Sequence, residues 1–142
     1  MTEKRPTIAA IRQFVMDAGS DDLPTFGGAY QGGIHCQQAP DEIARCIGHL
    51  LRSGSKIKAY LEIGVAAGGT AYLFHRFFAP EKIVLIDDNK HHKAALRPGV
   101  LEGISYIELV GRSDDEDILS RAQAASPYDV IMIDGDHHYP AV

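Results

Sequence analysis

The chain has no tryptophan and only two cysteines. It also has no apolar run near the roughly 20 residues needed to span a bilayer, so no membrane partner is expected. Cys36 and Cys46 lie ten residues apart and outside any CxxC spacing. A reduced, cytoplasmic chain is the economical reading, without a disulfide framework. Basic charge is in short supply: Lys and Arg number 14 against 19 Asp and Glu, for a net charge of −5. Tracking a nucleic-acid backbone needs a basic face, so nucleic acid is not an expected partner. The opening Met1-Thr2-Glu3-Lys4-Arg5-Pro6 has no apolar core behind its charges, and no signal peptide is expected. Repeats and low-complexity tracts are also missing. What is there is 142 residues, 45% hydrophobic and 23% charged, the balance of an ordinary globular protein about one domain long.

The first fifty residues read as helical. Ile8, Ile11, Val15 and Ala18 form one stripe, which Gly19 and Ser20 stop. A loop from Asp21 to Gln38 follows, carrying Pro24 and two glycine pairs; its length implies a functional or mobile role. Pro40, Asp41 and Glu42 have the character of a helix first turn, and the apolar face Ile43, Ile47, Leu50, Leu51 runs on to Ser53-Gly54.

From Lys58 the pattern changes. Strands are expected at Ala59–Ile63, Lys82–Asp87, Ile104–Val110 and Tyr128–Asp134, with helices at Thr70–Phe78, Asn89–Leu96 and Ser113–Ala125. Short apolar strands alternating with helices imply an α/β fold with a parallel sheet wrapped on both faces. The organisation expected is an N-terminal helical cap over residues 1–56 and a Rossmann-like core over 57–142.

In open α/β sheets, ligands bind beyond the carboxyl ends of the strands. The first strand runs into Glu62-Ile63-Gly64-Val65-Ala66-Ala67-Gly68-Gly69-Thr70, where glycines allow a tight turn and the next helix presents its N-terminus. Ala66 stands where the dinucleotide motif G-x-G-x-x-G has its second glycine, so a pyrophosphate is disfavoured. A plain strand-to-helix turn would also use these glycines. The second strand ends at Asp87, about twenty residues on, where a carboxylate can accept both ribose hydroxyls; a helix cap is the plainer reading. Ser113-Asp114-Asp115-Glu116 fits a capping box. The fourth strand ends in Asp134-Gly135-Asp136-His137-His138, two carboxylates and two imidazoles suited to a hard metal or to proton transfer, or simply to a solvated loop. His91-His92, flanked by lysines, reads as surface.

Together these strand endings resemble the class I S-adenosylmethionine-dependent methyltransferases. Tyr60-Leu61-Glu62-Ile63-Gly64 with Gly68-Gly69-Thr70 resembles the family's first motif, and Ile86-Asp87 its acidic second motif. Val110-Gly111-Arg112-Ser113 is similar to the adenine-side loop of the catechol O-methyltransferase-like branch. Asp129 to His137 resembles the fourth motif of small-molecule and sugar-modifying members, including those related to cephalosporin hydroxylase. The resemblance implies a sheet of order 3-2-1-4 and S-adenosylmethionine as cofactor. It implies that Glu62, Gly64, Gly68 and Thr70 surround the methionine part, that Asp87 holds the ribose, and that Ser113 and Asp114 border the adenine. Asp134 would face the sulfonium, where related O-methyltransferases place a divalent ion such as Mg²⁺, and His137 would take the proton of a small-molecule or sugar hydroxyl.

The family's sheet has seven strands, and only four are visible in this sequence. Asp134 would be a lone protein ligand, too few for Mg²⁺ unless waters fill in. An alternative reading is therefore a truncated or degenerate S-adenosylmethionine-binding module without catalysis. A nicotinamide-binding domain is a third, disfavoured by the glycine spacing. Val130 to Ile133 is apolar on both faces, which implies cover above and below and a neighbour alongside. A further segment of a longer enzyme, or another chain in a homo-oligomer, is expected to supply that cover.

Overall fold

The computed structural model describes residues 4–21 and 32–135. The chain divides into two compact units, Met1–Lys56 and Ile57–Val142.

In the first unit, helix α1 (Ile8–Ala18) begins at Thr7, whose hydroxyl accepts the Ala10 N–H at 3.1 Å. This satisfies one of the orphan donors of the first turn. Its stripe buries Ile11 and Val15, while helix α2 (Pro40–Ser53) buries Ile43, Ala44 and Ile47. Pro40 opens α2 and Gly54 closes it in the left-handed region, as the sequence leads one to expect. Arg12 of α1 pairs with Asp41 at the acidic first turn of α2. Between the helices, Ser20 and Cys36 form a parallel bridge; Cys36 is buried and Cys46 exposed, and neither is in a disulfide.

The second unit is a parallel sheet of four strands in the order β3-β2-β1-β4. The strands are β1 (Ala59–Ile63), β2 (Lys82–Asp87), β3 (Ile107–Val110) and β4 (Val130–Ile133). Ile63 at the end of β1 is in register with Ile86 on one side and Ile133 on the other, so the strand ends line up. Because side chains alternate along a strand, the sheet has two distinct faces. Leu61, Val84, Ile86 and Leu109 share one face and pack on Ile118 and Ala122 of helix α5 (Glu116–Ala124). Tyr60 is on the other, stacked at 4.4 Å on Phe74 of helix α3 (Gly69–Phe78). At the opposite end of the sheet, the Asp129 carboxylate accepts the N–H groups of Lys58 and Ala59 at 2.8 and 2.9 Å, joining the entry of β4 to that of β1.

Several boundaries differ from the sequence reading. Strand β3 is shorter than Ile104–Val110, because only Val84 to Asp87 of β2 face it. The helix expected over Asn89–Leu96 is a 3₁₀ helix, His92–Leu96, followed by the single turn α4 (Arg97–Val100). The Asp87 and Asp88 carboxylates take the Asn89 and Lys90 N–H groups, which postpones the helix, and Pro98 sits in the first turn of α4 instead of ending its predecessor. Helix α5 starts at Glu116, not Ser113, so the capping box does not form. Arg112 holds the Asp114 carboxylate through Nε and Nη2 at 2.9 and 2.8 Å, and Asp115 occupies the N-cap position. Finally, β4 is not covered on both faces: Ile131 and Ile133 are each 52% exposed, on the face that α5 covers elsewhere.

Candidate functional site

The carboxyl ends of β1, β2 and β4 gather three acids, Glu62, Asp87 and Asp134, around the turn from β1 into α3. Glu62 is 2% exposed and accepts the Tyr60 hydroxyl at 2.8 Å. Burial pushes its carboxyl up to about 8; the Tyr60 hydrogen bond opposes the shift, the Asp134 charge adds to it, Arg97 opposes and Asp87 adds. The group is therefore protonated at neutral pH. Asp134 is exposed, and its N–H donates to the Ile63 carbonyl at 2.8 Å, extending the ladder one residue past β4.

The turn itself has a defined shape. Gly64 has φ +82°, and a side chain there would collide with the backbone of Asp134 and Gly135. The close approach that requires glycine at 64 is thus to the neighbouring strand's exit, where the sequence reading placed ligand space. Gly68, φ +90°, precedes α3; a Cβ there would stand 3.1 Å from Leu101 and 3.3 Å from the Arg97 stem. Ala66, in the place of the dinucleotide motif's second glycine, is held at φ +50°. Thr70 is buried in the first turn of α3, whose N-terminus opens beside this loop.

Asp87, 8% exposed, fastens the loop. Its Oδ2 accepts the Val65 and Ala66 N–H groups at 2.6 and 2.8 Å, and its Oδ1 accepts that of Asn89 at 2.6 Å. Burial alone would raise its pKa, but these three N–H groups and the Arg97 guanidinium outweigh it and hold the carboxyl below the usual range. A carboxylate offers about four lone-pair positions. Both on Oδ2 are engaged and one remains on Oδ1, which leaves room there for one further donor.

Sequence reasoning missed Arg97, which is 2% exposed and the largest fully buried side chain of the described residues. Its Nε donates to the Ala66 carbonyl at 3.0 Å, and its Nη1 donates to Asn89 Oδ1 at 2.9 Å and to Glu108 Oε1 at 2.6 Å. Its Nη2 lies 3.3 Å from Asp87 Oδ2. Nothing in a lone arginine before a proline marks it as buried.

After β3, Ser113 is half-buried, and Asp114 is exposed with its carboxylate held low by the Arg112 hydrogen bonds, against a small opposing effect of burial. His137 and Asp136 lie outside the described residues, as does much of the loop from Asp21 to Gln38. Among the described residues, no three His, Cys, Asp or Glu side chains converge as an ion would require. Asp134 is thus part of no such cluster among those residues.

Comparison with known proteins places the fold. No family model matches the sequence, and neither does any curated protein. Among solved structures, 96% of the chain matches an O-methyltransferase from Bacillus cereus in complex with SAH, at TM-score 0.54 and 18% identity. The same share matches cofactor-bound Rv0187 from MTB, at TM-score 0.50 and 21% identity. The chain spans 57% and 56% of the lengths of those proteins. The architecture is thus the Rossmann-like methyltransferase fold, with β1 between β2 and β4 as its central strand. No helix of the described residues is long and apolar enough to cross a membrane.

Proposed function

We propose that this chain binds S-adenosylmethionine and belongs to an O-methyltransferase acting on a small-molecule or sugar hydroxyl. The observation that carries the reading is the loop from Gly64 to Thr70, with Glu62, Asp87 and Asp134 at the ends of three adjacent strands around it. Two structural neighbours of the same fold, one crystallised with SAH and one with its cofactor, support it. The α3 N-terminus would receive the carboxylate of the methionine part, whose ammonium would meet the acids. With Thr70, Gly64 and Gly68 would shape the turn, Asp87 would take one ribose hydroxyl, and Ser113 and Asp114 would border the adenine. Methyl transfer from a sulfonium is a direct displacement, so the protein's task is alignment of acceptor, methyl and sulfur. The acceptor's proton would pass to His137, with Asp134 beside the sulfonium.

Calorimetric titration with S-adenosylhomocysteine and, separately, with NAD tests the binding. Saturable binding of the first and none of the second is expected; the reverse would sink the reading. Transfer of methyl to a panel of hydroxyl acceptors then tests catalysis, and binding without any turnover would leave a cofactor-binding module.

A further inference from the structure

Arg97 is a cation sealed in the second unit, and burying it calls for explanation. Removing a guanidinium from water costs several kcal/mol, and an apolar side chain of similar volume would fill the space more cheaply. Its partners give the reason. Two non-glycine residues beside the site hold left-handed backbone, Ala66 at φ +50° and Asn89 at φ +59°. That conformation is disfavoured for an L-residue, less so for asparagine than for alanine, and is held in place by the surroundings. Arg97 contacts both, through the Ala66 carbonyl and the Asn89 side-chain oxygen. It also faces Asp87, which itself holds the Val65, Ala66 and Asn89 N–H groups. Its stem lies where a Cβ on Gly68 would come within 3.3 Å, and its outer anchor is Glu108 on β3.

We infer that Arg97 is a positioning residue: its planar fork sets the loop after β1 and the turn after β2 in one fixed relation, which presents the nucleoside edge of the site ready-made. The inference rests on the proposed S-adenosylmethionine reading for what the edge holds, but not for the positioning itself. Lysine cannot substitute, because an ammonium lacks the rigid fork that reaches a carbonyl, an amide oxygen and two carboxylates in different directions. A loop already in its bound shape loses less ordering entropy when the ligand arrives, so the effect should be read in affinity as well as in stability.

The test uses the full chain as Arg97→Lys and Glu108→Gln, with S-adenosylhomocysteine as the probe. Affinity is measured by calorimetry well below each melting temperature, beside amide NMR spectra. For Arg97→Lys, the Val65, Ala66 and Asn89 signals should move or broaden while those of Ala59 to Leu61 hold, and affinity should fall at least tenfold. Glu108→Gln removes one surface-reachable anchor and keeps the chain folded even if Arg97→Lys does not fold. It should shift the same three amides and weaken binding about threefold. A folded variant with unmoved loop amides, or with moved amides and affinity within experimental error of the parent, overturns the inference. If the parent itself fails to bind S-adenosylhomocysteine, the methyltransferase reading falls and the amide signals alone decide the role of Arg97.

Discussion

Replacing Glu62 by Gln should remove a pH dependence of stability that the fold imposes on itself. The carboxyl of Glu62 titrates near 8 in the folded chain against an ordinary value of 4.5, chiefly because it is buried. Between those values the folded state holds a proton that the unfolded chain has released. Stability therefore falls as pH rises through this window, by up to about 1.4 kcal/mol per pH unit, and levels off above the folded value. The full contribution is present below 4.5, and about 3–5 kcal/mol of it is lost by pH 8. Glutamine has the shape of the protonated acid and still accepts the Tyr60 hydroxyl, so Glu62→Gln should abolish the slope. Urea unfolding at pH 5, 6.5 and 8, with unchanged m, is the assay. Parent and variant should agree near pH 5, and the variant should be the more stable by about 3 kcal/mol at pH 8. Groups common to the two proteins cancel in the difference. Asp87, Asp114 and Asp129, all held below their usual range, lose their contributions only at lower pH and leave the window clear. Parallel pH profiles for the two proteins, or a variant weaker at pH 8, would refute the assignment of the proton to Glu62.

Asp87→Ala should cost about 3–5 kcal/mol of stability, because it frees three backbone N–H groups and strips a buried cation of one partner. It should weaken S-adenosylhomocysteine binding by a further 1–3 kcal/mol or about that, measured where the variant is still folded; an unchanged melting temperature with unchanged affinity would misplace the site. Gly64→Val should fail to fold or melt far below the parent even without ligand, since its clash is with the Asp134 backbone, and a normally stable Gly64→Val would show that the strand exits part more freely than they stand. Excess chelator should leave S-adenosylhomocysteine affinity unchanged, as no ion-binding cluster exists among the described residues; a large loss would restore the metal at Asp134. Light scattering should find the chain associated through the exposed Ile131 and Ile133 of β4, and a cooperative monomer would refute that expectation.

Legibility in the sequence followed the range of the interactions. Strands β1 and β2 could be read to the residue because each is a short apolar run closed by a glycine or an acid, a purely local signal. The order 3-2-1-4 came from the resemblance of the strand endings to a known family, and the sheet has it. Helix α5 began late because two local solutions competed, and the Arg112 fork on Asp114 prevailed over a serine cap. The three acids at the strand ends were legible by type and place. Their states were not, since Glu62 is protonated through burial and Asp87 is ionised through backbone donors that only the folded turn supplies. The constraint on Gly64 was not legible, because the atoms a side chain would meet lie seventy residues away along the chain, at Asp134. Arg97 left no trace, because its four partners are drawn from two loops and two strands.

Asp87 serves the fold before it can serve a ligand. The carboxylate that sequence assigns to a ligand already serves the backbone three times, and Arg97 guards the same oxygen that holds the loop. With one lone-pair position left on Oδ1, a ribose would meet a single acceptor there and need its second partner elsewhere on the edge. The nearest unburied carboxylate in sequence is Asp88, whose Oδ1 takes the Lys90 N–H while its side chain stays 39% exposed. Selectivity at this edge would then rest on how firmly Asp87 and Arg97 hold the two turns apart. The loop that binds and the core that folds are, at this point in the chain, stabilised by the same contacts. A substitution here cannot weaken one without loosening the other, which is why affinity and melting must be measured on the same variants.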